Sequence, residues 1–328
     1  MPVSDRSSLN NHSANGAPKH QQWMDKTFYL VTASFAGLVL VLLAGILVSL
    51  FIGGWEALKT FGFSFLITDS WNPVTKEFGA LTPIYGTLVS SLIALLIAVP
   101  ISLGIAIFLT EVAPNWLRRP IGTAVELLAA IPSIIYGMWG LFVFAPVLSQ
   151  YVQPWLQNAF GDWAVVGPLF QGPPIGIGML PAGIILGIMI IPFISAIMRD
   201  VFLTTPKFVK ESAYAIGATT WEVVRHVVLP HTRVAVTGGI FLGLGRALGE
   251  TMAVTFVIGN THRMNIGLFE PGNSIASTLA NEFTEAVGVV HTSSLIALGL
   301  VLFLITFIVL ALAKLLLLRL EFRTGNRH

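Results

Sequence analysis

The chain has 328 residues, of which 55% are hydrophobic and only 10% charged, with a mean hydropathy of +0.80 and a formal net charge of +2. A soluble domain carries about a quarter charged residues, so the composition excludes a soluble globular protein, and the small net charge argues against nucleic acid as a partner. Cysteine is absent, which removes disulfides, thiolate metal sites and a cysteine nucleophile.

In chain order, residues 1–27 are rich in Ser, Asn, His and Gly, with Pro2 and Pro18, the composition of a disordered tail and too polar for a signal-peptide core. Six apolar windows follow, at 28–52, 81–110, 127–148, 176–198, 234–260 and 292–316. Each meets the roughly 20 residues that a helix needs to cross a bilayer. The predicted fold is therefore all-α, a polytopic membrane bundle of six transmembrane helices over 28–320. The first window lacks a small-residue cleavage site and reads as a retained anchor. Pro100, Pro132, Pro181 and Pro192 fall inside or near the ends of windows and are expected to kink helices rather than break them. Trp55, Trp71, Trp155 and Trp163 lie in the loops 53–80 and 149–175, where indole rings suit the interfacial belt.

Charge placement fixes an orientation. Of the 18 Lys and Arg residues, only Lys59, Lys76 and Arg263 fall in the first set of alternate loops and Arg246 in a window; the other fourteen share the opposite side. The positive-inside rule puts both termini, including a C-terminal tail at 321–328, in the cytoplasm. The six windows show no internal duplication, so a pseudo-symmetric partner half must come from another chain.

The loop 207–230, KFVKESAYAIGATTWEVVRHVVLP, is charged and amphipathic. Pro206 and Gly217 punctuate a first helix, and a second stretch, Thr219 to Leu229, is expected to stop at Pro230, with Glu222 and Arg225 paired at i, i+3. Ala213, Ala215, Gly217 and Ala218 are small enough to let another surface approach closely. On spacing alone the loop is either a docking surface for a soluble partner or a solvated hairpin.

Further on, Arg246 and Glu250 in GLGRALGETMAV are four residues apart, hence on one face of a helix. Inserting such a charge costs roughly 2.5–3.5 kcal/mol. Two readings follow: a structural ion pair, or an Arg246 that presents its planar fork to a crossing anion, with Glu250 releasing and re-pairing it. The surrounding Gly238, Gly239, Gly243, Gly245 and Gly249 favour close helix packing. Glu126, before LLAAIPSIIYG, is expected at the dipole-favoured start of the third span. The seven His residues are scattered; His226 and His231 do not share a helix face, and no metal site, cofactor site, catalytic triad or paired-carboxylate site is expected. The phosphate loop G-x-x-x-x-G-K-[ST] is absent, so the chain is not expected to be an enzyme, and a motor, if there is one, is a separate subunit.

Glu211-Ser212-Ala213, then Gly217, then Val227 and Leu229-Pro230, resembles the EAA motif of bacterial ABC importer permeases, in which E-A-A, three residues, Gly, nine residues and I-x-L-P recur. Every interval matches; Ser212 and Val227 depart conservatively from Ala and Ile. The resemblance implies a type I, MetI-like permease fold in the bacterial inner membrane, with 207–230 as the coupling helix on the cytoplasmic ATPase. Glu211, Ala213, Gly217, Leu229 and Pro230 are the implied docking residues. The segments FGALTPIYGTLVSSLIALLIAVPISLGIAIFLTEVAP, ELLAAIPSIIYGMWG and GLGRALGETMAV look like the phosphate branch, the PstC family of permease subunits, whose PstA counterpart shares much of the pattern. That implies import of inorganic phosphate with a PstA-like second permease, PstB-like ATPases and a PstS-like periplasmic phosphate-binding protein, Arg246 and Glu250 lying on the substrate pathway. A permease for sulfate or molybdate, and a non-transporting scaffold or phosphate-sensing partner, stay open as alternatives.

Overall fold

The computed structural model describes residues 19–164 and 167–325. Most of the tail expected at 1–27 lies outside them, but its last part is helical, because the first helix begins at Lys19 and runs to Gly53. Likewise the last helix, Val289–Gly325, extends into the expected C-terminal tail. Among the described residues, six helices are long and apolar enough to cross a membrane: span 1, Trp23–Gly53; span 2, Leu81–Val112; span 3, Ser133–Phe160; span 4, Met179–Leu203; span 5, Thr220–Leu248; and span 6, Val289–Arg319. The chain is a multi-pass membrane protein.

The chain divides into two units, Met1–Ser49 and Leu50–His328. In the first, consecutive exposed side chains from Leu38 to Leu43 are all apolar, so the helix is hydrophobic all round, as a lipid-facing helix must be.

In the second unit, span 4 forms the core. Met179, Ile185, Leu186, Met189, Ile190, Ile194, Met198 and Phe202 are all 1% exposed or less. Lipid tails are as apolar as these side chains, so burial alone does not hold helices together in a bilayer; close packing does. Span 2 supplies it with a stripe of small residues four apart, Gly86, Ser90, Ala94, Ala98, Ser102 and Ala106, all buried. Span 4 answers with Gly183, where an added Cβ would lie 2.6 Å from the Cβ of Ile93. Ser102 Oγ donates to the Ile191 carbonyl at 3.1 Å, tying the two helices beside Pro192. On the other flank, Gly239 and Gly243 of span 5 meet Ile197 and Ile194 at 2.8 and 2.6 Å from a notional Cβ. Gly238, by contrast, faces open space.

Prolines shape the helices in two ways. Pro100 and Pro192 sit inside continuous helices, as expected. Four others, Pro114, Pro146, Pro154 and Pro230, each follow a π-turn: Phe108–Val112, Gly140–Phe144, Leu148–Val152 and Val224–Val228. In every case the residue just before the proline donates its N–H to the carbonyl five positions back. Where the helix continues, at Pro146, Pro154 and Pro230, the proline would clash with the carbonyl four back and cannot donate to it; widening the preceding turn relieves both problems, whereas at Pro114 the chain leaves the helix at Ala113. This corrects one expectation. The second stretch of the 207–230 loop does not stop at Pro230 but runs through it into span 5.

Pro132 does break a helix. A separate connecting helix, Asn115–Ala129, ends before it, and span 3 starts at Ser133, because the residue before a proline is driven out of the α region. Glu126 therefore lies near the end of the connecting helix, not at the start of span 3. Its partner is the guanidinium of Arg199 at 2.7 Å, not a helix N-terminus.

The contrast between two glycines of span 5 is testable. Gly243→Leu is expected to destabilise the protein by roughly 1–3 kcal/mol through overpacking against Ile194, while Gly238→Leu leaves the thermal unfolding midpoint in detergent nearly unchanged. Equal losses would contradict this packing.

Candidate translocation pathway and coupling surface

The fifth window, expected as one helix over 234–260, is broken. Span 5 ends at Leu248, Gly249 closes it, and a separate short helix runs from Met252 to Ile258. Arg246 sits in the last turn of span 5 and Glu250 in the break, so they do not share a helix face. Arg246 instead places its guanidinium 5.1 Å from the centre of the Phe193 ring, in span 4. In span 3 the Tyr136 hydroxyl donates to the Leu128 carbonyl at 3.0 Å. Glu250 Oε1 accepts from the Ala253 N–H at 3.1 Å. Each charge thus lies at the helix end that suits it, Arg246 by the carbonyls of span 5 and Glu250 by the amides of the short helix. Among the described residues no ion pair joins the two.

Glycines let this break pack. An added Cβ on Gly137 would stand 2.8 Å from the Phe256 ring and 2.9 Å from the Met252 carbonyl, and one on Gly140 would stand 3.0 Å from Ile185. The segments AIPSIIYG and GRALGETMAV, far apart in sequence, are in contact here.

At the opposite end of span 5 lies the 207–230 loop. Its first helix is Lys207–Ala215, and Gly217 follows with φ +91, a left-handed conformation that a side chain resists. Thr219 then caps span 5 in a reciprocal box with Glu222, the Thr219 N–H donating to Glu222 Oε2 at 2.8 Å. Glu222 is therefore engaged by Thr219 rather than by Arg225. Glu211, Gly217 and Pro230 are exposed, and Ala213 and Leu229 half-buried. Between the two helices runs a groove lined by Ala213, Ile216, Gly217, Val223 and His226. Beside it stand large apolar side chains, Phe208, Ile216 and Trp221, at 78%, 87% and 60% exposure. Sequence reasoning missed one tie: Lys210 Nζ meets Glu111 Oε1, in the π-turn that ends span 2, at 2.5 Å, with both side chains largely buried.

On the other side of the membrane the His residues prove less scattered than expected. Glu282 accepts from Trp71 Nε1 at 2.6 Å and bonds His262 Nε2 at 2.6 Å and His291 Nε2 at 3.2 Å. Trp71 stacks on His262, and Phe78 on His291. The hairpin pairing Trp71 with Phe78 is thereby joined to the loop before span 6. Burial pushes the Glu282 carboxyl up, but hydrogen bonds from His262, Trp71 and His291 outweigh it and hold the group below its usual value. A depressed carboxylate adds stability above its unfolded pKa that is lost as pH falls through the folded one. Glu282→Gln is accordingly expected to lower stability by roughly 1–3 kcal/mol at neutral pH, and to shrink the acid-side fall of the unfolding midpoint. An unchanged acid profile would contradict the assignment.

The sequence profile described as binding-protein-dependent transport system inner membrane component matches residues 98–322. The chain is 62% identical over 301 residues to the phosphate transport system permease protein PstC of Mesorhizobium japonicum, covering 92% of each. It is 59% identical to the protein of the same name from Pasteurella multocida, covering 92% of this chain and 93% of that one. Among solved structures, a bacterial ABC transporter involved in the import of the acidic polysaccharide alginate superposes with a TM-score of 0.60 at 19% identity, over 91% of this chain and 99% of that one. The inward-facing MetNI methionine ABC transporter gives 0.53 at 17% identity, over 73% and 94%. These two share the fold, that of ABC importer permeases. With a profile match over most of its length and relatives of this identity, the chain belongs to the family of binding-protein-dependent transport system inner membrane components.

Proposed function

We propose that this chain is the permease subunit of an ATP-driven importer of inorganic phosphate. It forms half of the translocation pathway with a PstA-like permease, receives the anion from a PstS-like periplasmic binding protein, and docks PstB-like ATPases through residues 207–230. It sits in the bacterial inner membrane with both termini cytoplasmic, the orientation its Lys and Arg distribution favours. Relatives of high identity that carry the phosphate permease name support the substrate class.

The observation that carries the mechanism is Arg246. Its charge lies at a break in a membrane helix, against an aromatic face and without a carboxylate partner among the described residues. A guanidinium so placed offers several donors to the tetrahedral oxygens of phosphate. Glu250, held by the short helix, stands nearby as the group that limits how tightly an anion stays.

Span 5 supplies the link to the motor. It is continuous from Thr220 to Leu248, so the coupling loop and Arg246 are at the two ends of one helix, roughly 40 Å apart at 1.5 Å per residue. Movement of the loop by the ATPases shifts Arg246 directly. Lys210 and Glu111 pass the same movement to span 2. Glu211, Ala213, Gly217, Leu229 and Pro230 shape the docking surface, and Phe208, Ile216 and Trp221 give it apolar anchors. The chain itself makes and breaks no covalent bond.

Arg246→Gln is expected to cut phosphate uptake more than about tenfold, or ~1.4 kcal/mol in the barrier, at equal membrane levels of the assembled complex. Uptake at the parental rate would contradict a pathway role, and sulfate and molybdate measured alongside identify a different oxyanion if phosphate is not carried. Gly217→Val is expected to distort the loop through its positive φ and reduce ATPase co-purification; undiminished co-purification would remove the loop from the docking surface.

A further inference from the structure

On the side of the 207–230 loop, the ends of spans 2 and 4 and the connecting helix Asn115–Ala129 frame an open depression of about 350 Å³. Three arginines line it, Arg118, Arg119 and Arg199, together with Thr110, Thr123 and one acid, Glu126. That acid is already engaged. Arg199 Nη2 bonds Glu126 at 2.7 Å and Asp200 at 2.8 Å. Gly122 makes room for this arrangement, since a Cβ there would stand 2.8 Å from Arg199 Nη1.

Arg118 and Arg119 have no such counter-charge. Arg118 Nε donates to the Ala113 carbonyl at 2.7 Å, which fixes the side chain and leaves its outer nitrogens available. Arg119 is exposed, and neither residue pairs with a carboxylate among the described residues. Two guanidiniums facing one concave space repel each other and are stabilised by an anion that accepts from both. The rim has the character of a membrane surface: Trp116, on the same helix, is 75% exposed, and Leu127 and Leu203 are exposed as well, a belt of aromatic and apolar side chains beside basic ones.

We propose that this depression binds a phosphate group, gripped by Arg118 and Arg119 with Arg199 as its fixed wall. The chemistry is shared by the headgroup of an anionic phospholipid and by free orthophosphate. The site does not include Arg246, which lies against Phe193 in span 4. That the site faces the cytoplasm rests on the orientation proposed above; the binding does not.

The test uses the full chain purified from membranes in its assembled complex, without the periplasmic binding protein. Equilibrium dialysis with radiolabelled inorganic phosphate reads one source. Exchange of phosphatidylglycerol from mixed phosphatidylcholine vesicles, read by mass analysis of the bound lipid, reads the other. Wild type is expected to hold at least one of the two probes. Arg119→Gln is expected to weaken it about tenfold, and Arg118→Gln with Arg119→Gln further. Because Arg119 is exposed, the single variant leaves the packing intact and answers the question even if the double variant fails to assemble. Lipid binding alone assigns a headgroup site, and orthophosphate binding alone assigns a soluble-anion site. Binding of neither probe to wild type, or equal binding to wild type and Arg119→Gln, would overturn the proposal. In an Arg246→Gln background, which removes phosphate held on the pathway, Arg119→Gln is expected to weaken the remaining binding by the same factor, so an error about transport leaves this result readable.

Discussion

Arg246 carries a charge at the end of a membrane-spanning helix, and the arrangement around it follows from how that charge is tolerated. A carboxylate four residues on, in a continuous helix, is the simple way to neutralise it. This chain takes another: the helix ends at Leu248, the carbonyls of its last turn and the face of Phe193 offset the cation, and Glu250 is held by the start of the next helix. The break exposes backbone groups that a bilayer cannot satisfy, so the short helix must be buried in protein. Gly137 and Gly140 allow that, because no side chain fits between span 3 and residues 252–258.

A charge held by helix ends rather than by a partner moves when the helices move. Span 5 is anchored by close glycine contacts to span 4, and span 4 by the small-residue stripe of span 2. The second half of the 207–230 loop, from Thr219, is not a separate hairpin; it is the opening of span 5 itself, made continuous by the π-turn before Pro230. The buried tie from Lys210 to Glu111 closes the circuit by joining the same loop to the end of span 2. A rigid lever with the proposed docking surface at one end and an arginine at the other is what a separate motor would need to act on the proposed pathway.

Much of this was legible in the sequence. Six spans follow from apolar length alone, and the loop at 207–230 announces itself by charge, small residues and motif spacing. The elements that resisted reading were those in which tertiary contact overrides a local signal. Arg246 and Glu250 share a face only if the helix continues, and nothing in GLGRALGETMAV states that it stops, although Gly249 just before Glu250 is a usual helix end. Pro230 signals a stop by the ordinary rule, and the π-turn that cancels it becomes visible only as a recurrence at Pro146 and Pro154. The stripe from Gly86 to Ala106 could have been found by its spacing of four. The cluster of Trp71, His262, Glu282 and His291 could not, because it joins side chains up to 220 residues apart.

The central claim is that Arg246 acts on the crossing anion and not as the counter-charge of Glu250. The most direct measurement is phosphate uptake by the doubly neutral variant, Arg246→Gln with Glu250→Gln, in cells lacking the native chain. The geometry predicts that uptake stays as low as with Arg246→Gln alone, since removing the acid does not restore the donors. Recovery toward the parental rate would show that the two residues only neutralise each other, and would contradict the account.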